Sequence, residues 1–456
     1  MAKKSGPPQP GLFGDCDEAT ETNLEEGIPA GERRGVSPPV DQAILVIQNA
    51  AQIVCVSQEN ERVKRGPAMR NPAVLAGGAI VIRDGRIAWV GPSKLLPQLP
   101  AEARVIDASG KTVLPGLVDS HTHLIFAGSR EDEFEQRIQG MSYQQITAAG
   151  GGINATVSRV REAGKPELKE LARPRLLRLL RSGVTTVEVK SGYGLTLADE
   201  IKSLEVIAEL NAEGPLELVP TFLGAHAVPP EFRNDRDGYL RLLVEEMLPL
   251  ISREQLAEFC DVFCEQGVFS LAESERILQR ACDLGFALKL HADELTPLGG
   301  AELAARLHAT SADHLLRITD AGIDALARSE TIATLLPGTA FFLGVAYAPA
   351  RRLIEHGLVV ALASDCNPGT CPSENLPLIG TMACTQMKML PAEVVSALTL
   401  NAAAALGRSD RLGSIEAGKQ ADLIICKVPN YRHLFYHFGV NHVWRVIKRG
   451  RVVFAA

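Results

Sequence analysis

No run of eighteen uncharged apolar residues occurs among the 456 positions, so the sequence offers no candidate membrane-spanning helix. The N-terminus, MAKKSGPPQP, lacks the apolar stretch of a secretory signal, and a cytoplasmic location is expected. Positive charge is in deficit: 47 Lys plus Arg stand against 54 Asp plus Glu, a formal net charge of −7. Nucleic acid and anionic membranes are therefore poor partners, because affinity for either needs a basic face. Cysteine is scattered, nine residues from Cys16 to Cys426 with no CxxC pair, which argues against a disulfide framework and a thiolate zinc site. What remains is 46% apolar and 22% charged, enough for a large globular core.

The first forty residues hold six Pro and six Gly with no apolar period, and 1–41 is expected to be a flexible tail. From 42 to 112 the texture becomes short β-rich runs, with Asp84-Gly85 placed as a two-residue hairpin turn. The same texture returns from 409 to 456, with a second hairpin at Arg449-Gly450. These ends are expected to build one small discontinuous β-sandwich around the middle of the chain. Between 113 and 408, eight apolar runs alternate with helical periods: GLVDSHTH, GVTTVEVK, LELVPTFLGAH, CDVFCEQGV, FALKLHADE, ATSADHLL, TIATLLPG and LVVALASD. LADEIKSLEVIAELNAEG and EVVSALTLNAAAALG read as two of the intervening amphipathic helices. The expected fold is α/β, a TIM-type (β/α)8 barrel. GSREDEFEQRIQGMSYQQITAAGGGIN, after the first strand, is expected to fold over the barrel mouth.

The C-terminal strand ends, where such barrels carry their chemistry, are strongly polar. The first ends in His121-Thr122-His123, and a strand period of two lets both imidazoles point into the mouth. The fifth ends in His291-Ala292-Asp293-Glu294, the sixth in Asp313-His314, the eighth in Ser364-Asp365. Three neutral imidazoles and a carboxylate, His121, His123, His291 and Asp365, suit one metal ion with a position left for water, whose pKa the ion would lower towards about 7. Glu294 is placed to reach the water or the leaving group, and His314 to stabilise an oxyanion or relay a proton. Glu265 is left outside the site, and Lys190 is read as a salt-bridge partner rather than a carbamylated metal bridge. His308, His356, His433, His437 and His442 are read as surface or packing residues.

This layout resembles the amidohydrolase superfamily in its single-metal form. Within it, HLIFAGSREDEFEQRIQGMSYQQI, VEVKSGYGL, TFLGAHAVP, KLHADEL, ADHL and SDCNPGTCPSENL are similar to the imidazolonepropionase family, ring-opening hydrolases of histidine degradation. The resemblance implies 4-imidazolone-5-propanoate as the small-molecule substrate, N-formimidoyl-L-glutamate as product, one Zn2+ or Fe3+ per subunit and a homodimer. It places Arg130 and Tyr193 against substrate, His226 beside the reacting ring, and Asn367, Gly369 and Thr370 along the pocket. Arg130 supplies the planar fork that a propionate needs. His226 joins His314 as a candidate oxyanion partner, and either Asp365 or Glu294 is the general base. The rival reading is a purine or pyrimidine deaminase with the same ligands, and a scaffold that has lost its chemistry is a third.

Overall fold

Alternating Val and Ile at both ends of the chain place those ends in one sheet of the computed structural model, which describes residues 44–57, 60–141, 145–146 and 150–456. The segment 1–41 expected to be a tail lies outside the described residues. From the front of the chain come β1 (Leu45–Val54), β2 (Val74–Arg83), β3 (Arg86–Pro92), β4 (Arg104–Asp107) and β5 (Thr112–Pro115). From the back come β14 (Leu423–Cys426), β15 (Val443–Lys448) and β16 (Arg451–Ala455). They run in the order β16-β15-β14-β5-β1-β2-β3, with β4 also paired to β1. Here β5 closes the front part of this outer sheet, and the first strand of the other sheet begins at Leu117.

Both expected hairpins form. Asp84 and Gly85 have φ of 49° and 73°, Arg449 and Gly450 have 48° and 73°, the double left-handed turn whose twist matches its strands. The two tips meet, since a Cβ on Gly450 would lie 2.9 Å from Ile82 Cγ2 and 3.1 Å from Gly85 Cα. The strand period of two divides the outer sheet's side chains between two cores. Val113, Leu423 and Ile425 bury with Ile47, Ile80 and Ile82 in the sheet's own core. Leu114, Ile424 and Cys426 point the other way, into the core around the barrel.

The barrel is eight parallel strands in chain order: β6 (Leu117–Asp119), β7 (Val184–Lys190), β8 (Glu217–Ala225), β9 (Phe259–Cys264), β10 (Ala287–Ala292), β11 (Ser311–His314), β12 (Ile332–Leu335) and β13 (Val360–Leu362). Backbone bonds beyond the ends of β6 and β13 draw its edges together, with His123 N donating to Cys366 O at 2.9 Å and Asp365 N to His121 O at 3.0 Å. The helix expected from LADEIKSLEVIAELNAEG is Leu197–Glu213, capped by Thr196, whose side chain accepts from Asp199 N. EVVSALTLNAAAALG is divided at Thr399 into Pro391–Leu398 and Leu400–Ala404. Asn401 has outside partners at this break: its amide donates to Lys64 O and Val360 O, and its oxygen accepts from Lys64 N. Within the mouth insertion, Glu131–Ile138 is a helix, and Arg137 Nη2 donates to Gly369 O at 3.1 Å beside the eighth strand's loop.

Candidate metal centre and active site

His121 and His123 leave β6, His291 sits near the end of β10 and Asp365 follows β13, so ring closure alone converges them. All four side chains are buried. Imidazole centroids stand 5.3 Å apart for His121 and His123, and 4.6 Å for His121 and His291. Asp365 Oδ1 is 3.6 Å from His121 Nε2 and 3.4 Å from His123 Nε2. The strand ends thus bring the four expected ligands together, and His314 lies with them, its centroid 5.1 Å from that of His291. Nε2 of His121 and Nε2 of His291 are buried without a hydrogen-bond partner among the described residues. Unpaired buried ring nitrogens are costly unless a ligand completes them, and an imidazole and carboxylate donor set fits a transition ion.

Carboxylates hold the rings in register from behind. Asp313 Oδ2 lies 2.6 Å from His121 Nδ1, and Asp261 Oδ2 lies 3.0 Å from His291 Nδ1. Each favours the proton on Nδ1 and leaves the Nε2 lone pair facing the centre. Asp261 is in turn anchored by Lys190 Nζ at 2.7 Å, which also meets Glu188 Oε1 at 2.8 Å. Lys190 is therefore the salt-bridge partner expected. Burial alone would raise the Asp261 carboxyl, but His291 and Lys190 bring it well below the usual range. Thr339 Oγ1 donates to Asp365 Oδ2 at 2.5 Å. Asp261, the orienting job of Asp313 and Thr339 are what the sequence reading missed.

Burial holds His121, His123, His226 and His314 below the usual imidazole pKa, His314 down to about 3, so these rings are neutral, as a metal ligand must be; at His291 burial is outweighed by Asp261, which raises it. The two carboxyls expected to share acid-base work are pushed apart. Glu294 is raised to about 8 by burial and by repulsion from Asp365. Asp365 falls to about 2, because its hydrogen bond to His123 and the nearby imidazoles outweigh burial. Glu294 Oε2 is 3.5 Å from His314 Nε2. His314 and Asp365 have left-handed backbones, φ 78° and 56°, a conformation that costs energy in most residues and clusters at functional sites. Asp293 and Glu265 stand apart. Asp293 accepts from Gly299 N, Gly300 N and Ala301 N, and Glu265 accepts from Leu295 N and Thr296 N, so both shape the loop after β10.

Of the expected pocket residues, His226 and Tyr193 stand against the imidazoles of the centre, and Arg130, Asn367, Gly369 and Thr370 gather at the loop after β13. His226 stacks on His123 with centroids 5.0 Å apart and planes 17° apart, and its Nδ1 lies 3.0 Å from Gly192 O. Tyr193 is buried with its ring 5.3 Å from that of His226. Arg130 pairs with Glu133 at 2.7 Å and lies against Gly369, where a Cβ would come within 2.2 Å of Arg130 Nη1. A side chain there would push the guanidinium aside. Asn367 uses its amide on its own loop: the oxygen accepts from Gly369 N and Thr370 N at 2.8 and 2.7 Å, and Nδ2 donates to Asp365 O and Thr370 Oγ1. Its place is therefore to shape the turn that presents Gly369 and Thr370.

Comparison with known proteins bears on this site. Residues 112–453 match the Amidohydrolase family. The imidazolonepropionase of Geobacillus sp. (strain WCH70) is 50% identical over 413 residues, covering 90% of this chain and 97% of that protein. The imidazolonepropionase of Symbiobacterium thermophilum is 51% identical over 420 residues, covering 91% and 97%. Among solved structures, a triazine hydrolase variant superposes with a TM-score of 0.72 at 18% identity, covering 90% of this chain and 95% of its own. The atrazine chlorohydrolase of Arthrobacter aurescens TC1 complexed with zinc gives 0.70 at 17%, with the same coverage. At that identity the two structures speak for the fold alone.

Proposed function

This chain belongs to the amidohydrolase family and, within it, to the imidazolonepropionases, and on that premise we propose how its barrel mouth hydrolyses the cyclic amide of 4-imidazolone-5-propanoate to N-formimidoyl-L-glutamate. The enzyme acts on a carbon–nitrogen bond of a small ring, and its site is one that binds metal. The observation that carries the reading is the convergence of four polar strand ends, with carboxylates orienting His121 and His291, in a chain 50% identical to imidazolonepropionases over 90% of its length.

His121, His123, His291 and Asp365 would hold the ion, proposed as one Zn2+ or Fe3+ per subunit of a cytoplasmic homodimer. When bound, that ion supplies positive charge that acidifies a water and polarises the ring carbonyl. The oxygen of water bonds to the carbonyl carbon, the ring carbon–nitrogen bond breaks, and the nitrogen leaves with a proton. Asp365, ionised at neutral pH, accepts the water's proton. Glu294, still protonated near neutral pH, gives its own to the departing nitrogen, and the proton on Asp365 restores it. The split between these two carboxyls supports Asp365 as base, the choice that composition and spacing left open. His314, neutral, offers an N–H to the developing oxyanion, while His226, whose one N–H faces Gly192 O, turns an Nε2 lone pair towards the ring and can accept a hydrogen bond from it. Arg130 binds the propionate, Tyr193 flanks the ring, and Gly369 and Thr370 border its far side.

Loss of imidazolone absorbance with the metal-loaded enzyme tests the reading, with and without chelator. Turnover that a chelator abolishes and added Zn2+ or Fe3+ restores is expected. Ammonia released from an aminopurine, with no loss of imidazolone, would instead establish the deaminase.

A further inference from the structure

Three histidines that the sequence alone assigns to surface or packing converge on the segment between β14 and β15. His433 opens the helix His433–Tyr436, and His437 N donates to His433 O at 3.0 Å, so the two stand one helical turn apart on one face. The chain then reverses through Gly439, whose φ of 79° is a left-handed conformation, and returns His442 to the same place just before β15. Ring centroids are 5.5 Å apart for His433 and His437, 5.6 Å for His433 and His442, and 5.0 Å for His437 and His442. One ring nitrogen from each lies within 4.8 Å of the others. Three nitrogens about 2.0–2.1 Å from a single tetrahedral ion stand about 3.4 Å apart, so a small rotation of the side chains closes the set.

The surroundings look like those of a ligand set. His442 is buried and its Nε2 lies 2.9 Å from His437 O. A proton on Nε2 satisfies that carbonyl and leaves the lone pair on Nδ1, the arrangement by which backbone carbonyls orient metal-binding imidazoles. The position of His442 is fixed by its neighbour Asn441, whose Nδ2 donates to Arg181 O and whose oxygen accepts from Val443 N. The helix is held by Thr381 Oγ1 donating to Phe435 O at 3.0 Å. His433 is half-buried and His437 exposed, which gives an ion a path in.

We propose that His433, His437 and His442 form a second metal site, separate from the barrel centre, for a divalent ion of the zinc, nickel or copper class. Three imidazoles without a carboxylate select such ions over Mg2+ or Ca2+, and the fourth position is left to water. A bound ion ties the His433–Tyr436 helix to the start of β15 and so stabilises the outer sheet.

Zn2+ titrated calorimetrically into enzyme whose barrel site is already loaded tests this. One further ion per chain is expected to bind to the wild type and to raise its thermal midpoint. His437→Ala, at an exposed position, and separately His433→Gln should each weaken that uptake at least about tenfold. Both should leave imidazolone turnover and the barrel metal unchanged, which also reports that they fold. No uptake by the wild type beyond the barrel ion, or uptake of equal affinity in both variants, overturns the proposal.

Discussion

A single guanidinium is proposed to read the substrate's charge. Arg130 is mostly buried and already shares one nitrogen with Glu133 at 2.7 Å, so the proposed propionate contact falls to the side facing Gly369. Hydrogen bonds to a charged group are worth about 1.5–3 kcal/mol, and this contact exists before and during reaction. Arg130→Met should therefore raise KM about 10–100-fold with little change in kcat, as steady-state kinetics would show. An unchanged KM would place the propionate elsewhere. Side chains of this kind were legible in the sequence where a strand period of two and a strand end coincide, as for His121, His123, His291 and Asp365. Asp261 was not legible. It lies inside CDVFCEQGV, where Glu265 at the strand end draws the eye, and its partner His291 comes from the adjacent strand thirty positions on. Pairing of that kind exists only once β9 and β10 are side by side.

Among the elements, the loop after β13 joins Asp365, the proposed metal ligand, to Gly369 and Thr370, the proposed border of the pocket. Asn367 is its keystone, with four hydrogen bonds running from its amide to Asp365 O, Gly369 N, Thr370 N and Thr370 Oγ1. In Asn367→Ala the two backbone N–H groups lose their acceptor, at about 1–3 kcal/mol for each that stays buried. Because Asp365 and Gly369 both hang from this turn, kcat/KM should fall at least about tenfold, while the unfolding midpoint drops by only a few degrees. Measuring both on one preparation separates positioning from stability, and full activity would show that the loop holds its shape without the amide. The hairpins were readable because Asp-Gly and Arg-Gly sit between alternating runs, a strictly local signal. The break at Thr399 was not, since Asn401 is drawn to carbonyls of Lys64 and Val360, residues distant in the chain.

At the scale of the whole molecule, barrel and outer sheet are fastened through Glu217, the first residue of β8. Arg408 and Arg411, which follow the last barrel helix, approach its Oε1 at 3.4 and 2.5 Å, and Lys448 of β15 reaches its Oε2 at 3.4 Å. Burial would raise this carboxyl, yet the hydrogen bond from Arg411 and the charges of Lys448, Arg411 and Arg408 lower it from 4.5 to about 2. A depressed folded-state pKa adds stability that is complete above the unfolded value and is lost as pH falls through the interval between 4.5 and 2. The full span corresponds to about 3 kcal/mol, of which about 1.4 kcal/mol is gone by about pH 3.5. Glu217→Gln removes the titration and takes a shared carboxylate from Arg408, Arg411, Lys448 and Arg449, of which Arg408 keeps Glu258 and Lys448 keeps Asp422. The variant should be less stable than the wild type at pH 7, and the gap should narrow by about 1.2 kcal/mol as pH falls from about 5 to about 3.5. Urea unfolding of both proteins across that range measures it, with other titrating groups cancelling in the difference. A gap that stays constant would mean that the clamp holds barrel and sheet together by geometry alone, with no contribution from the charge on Glu217.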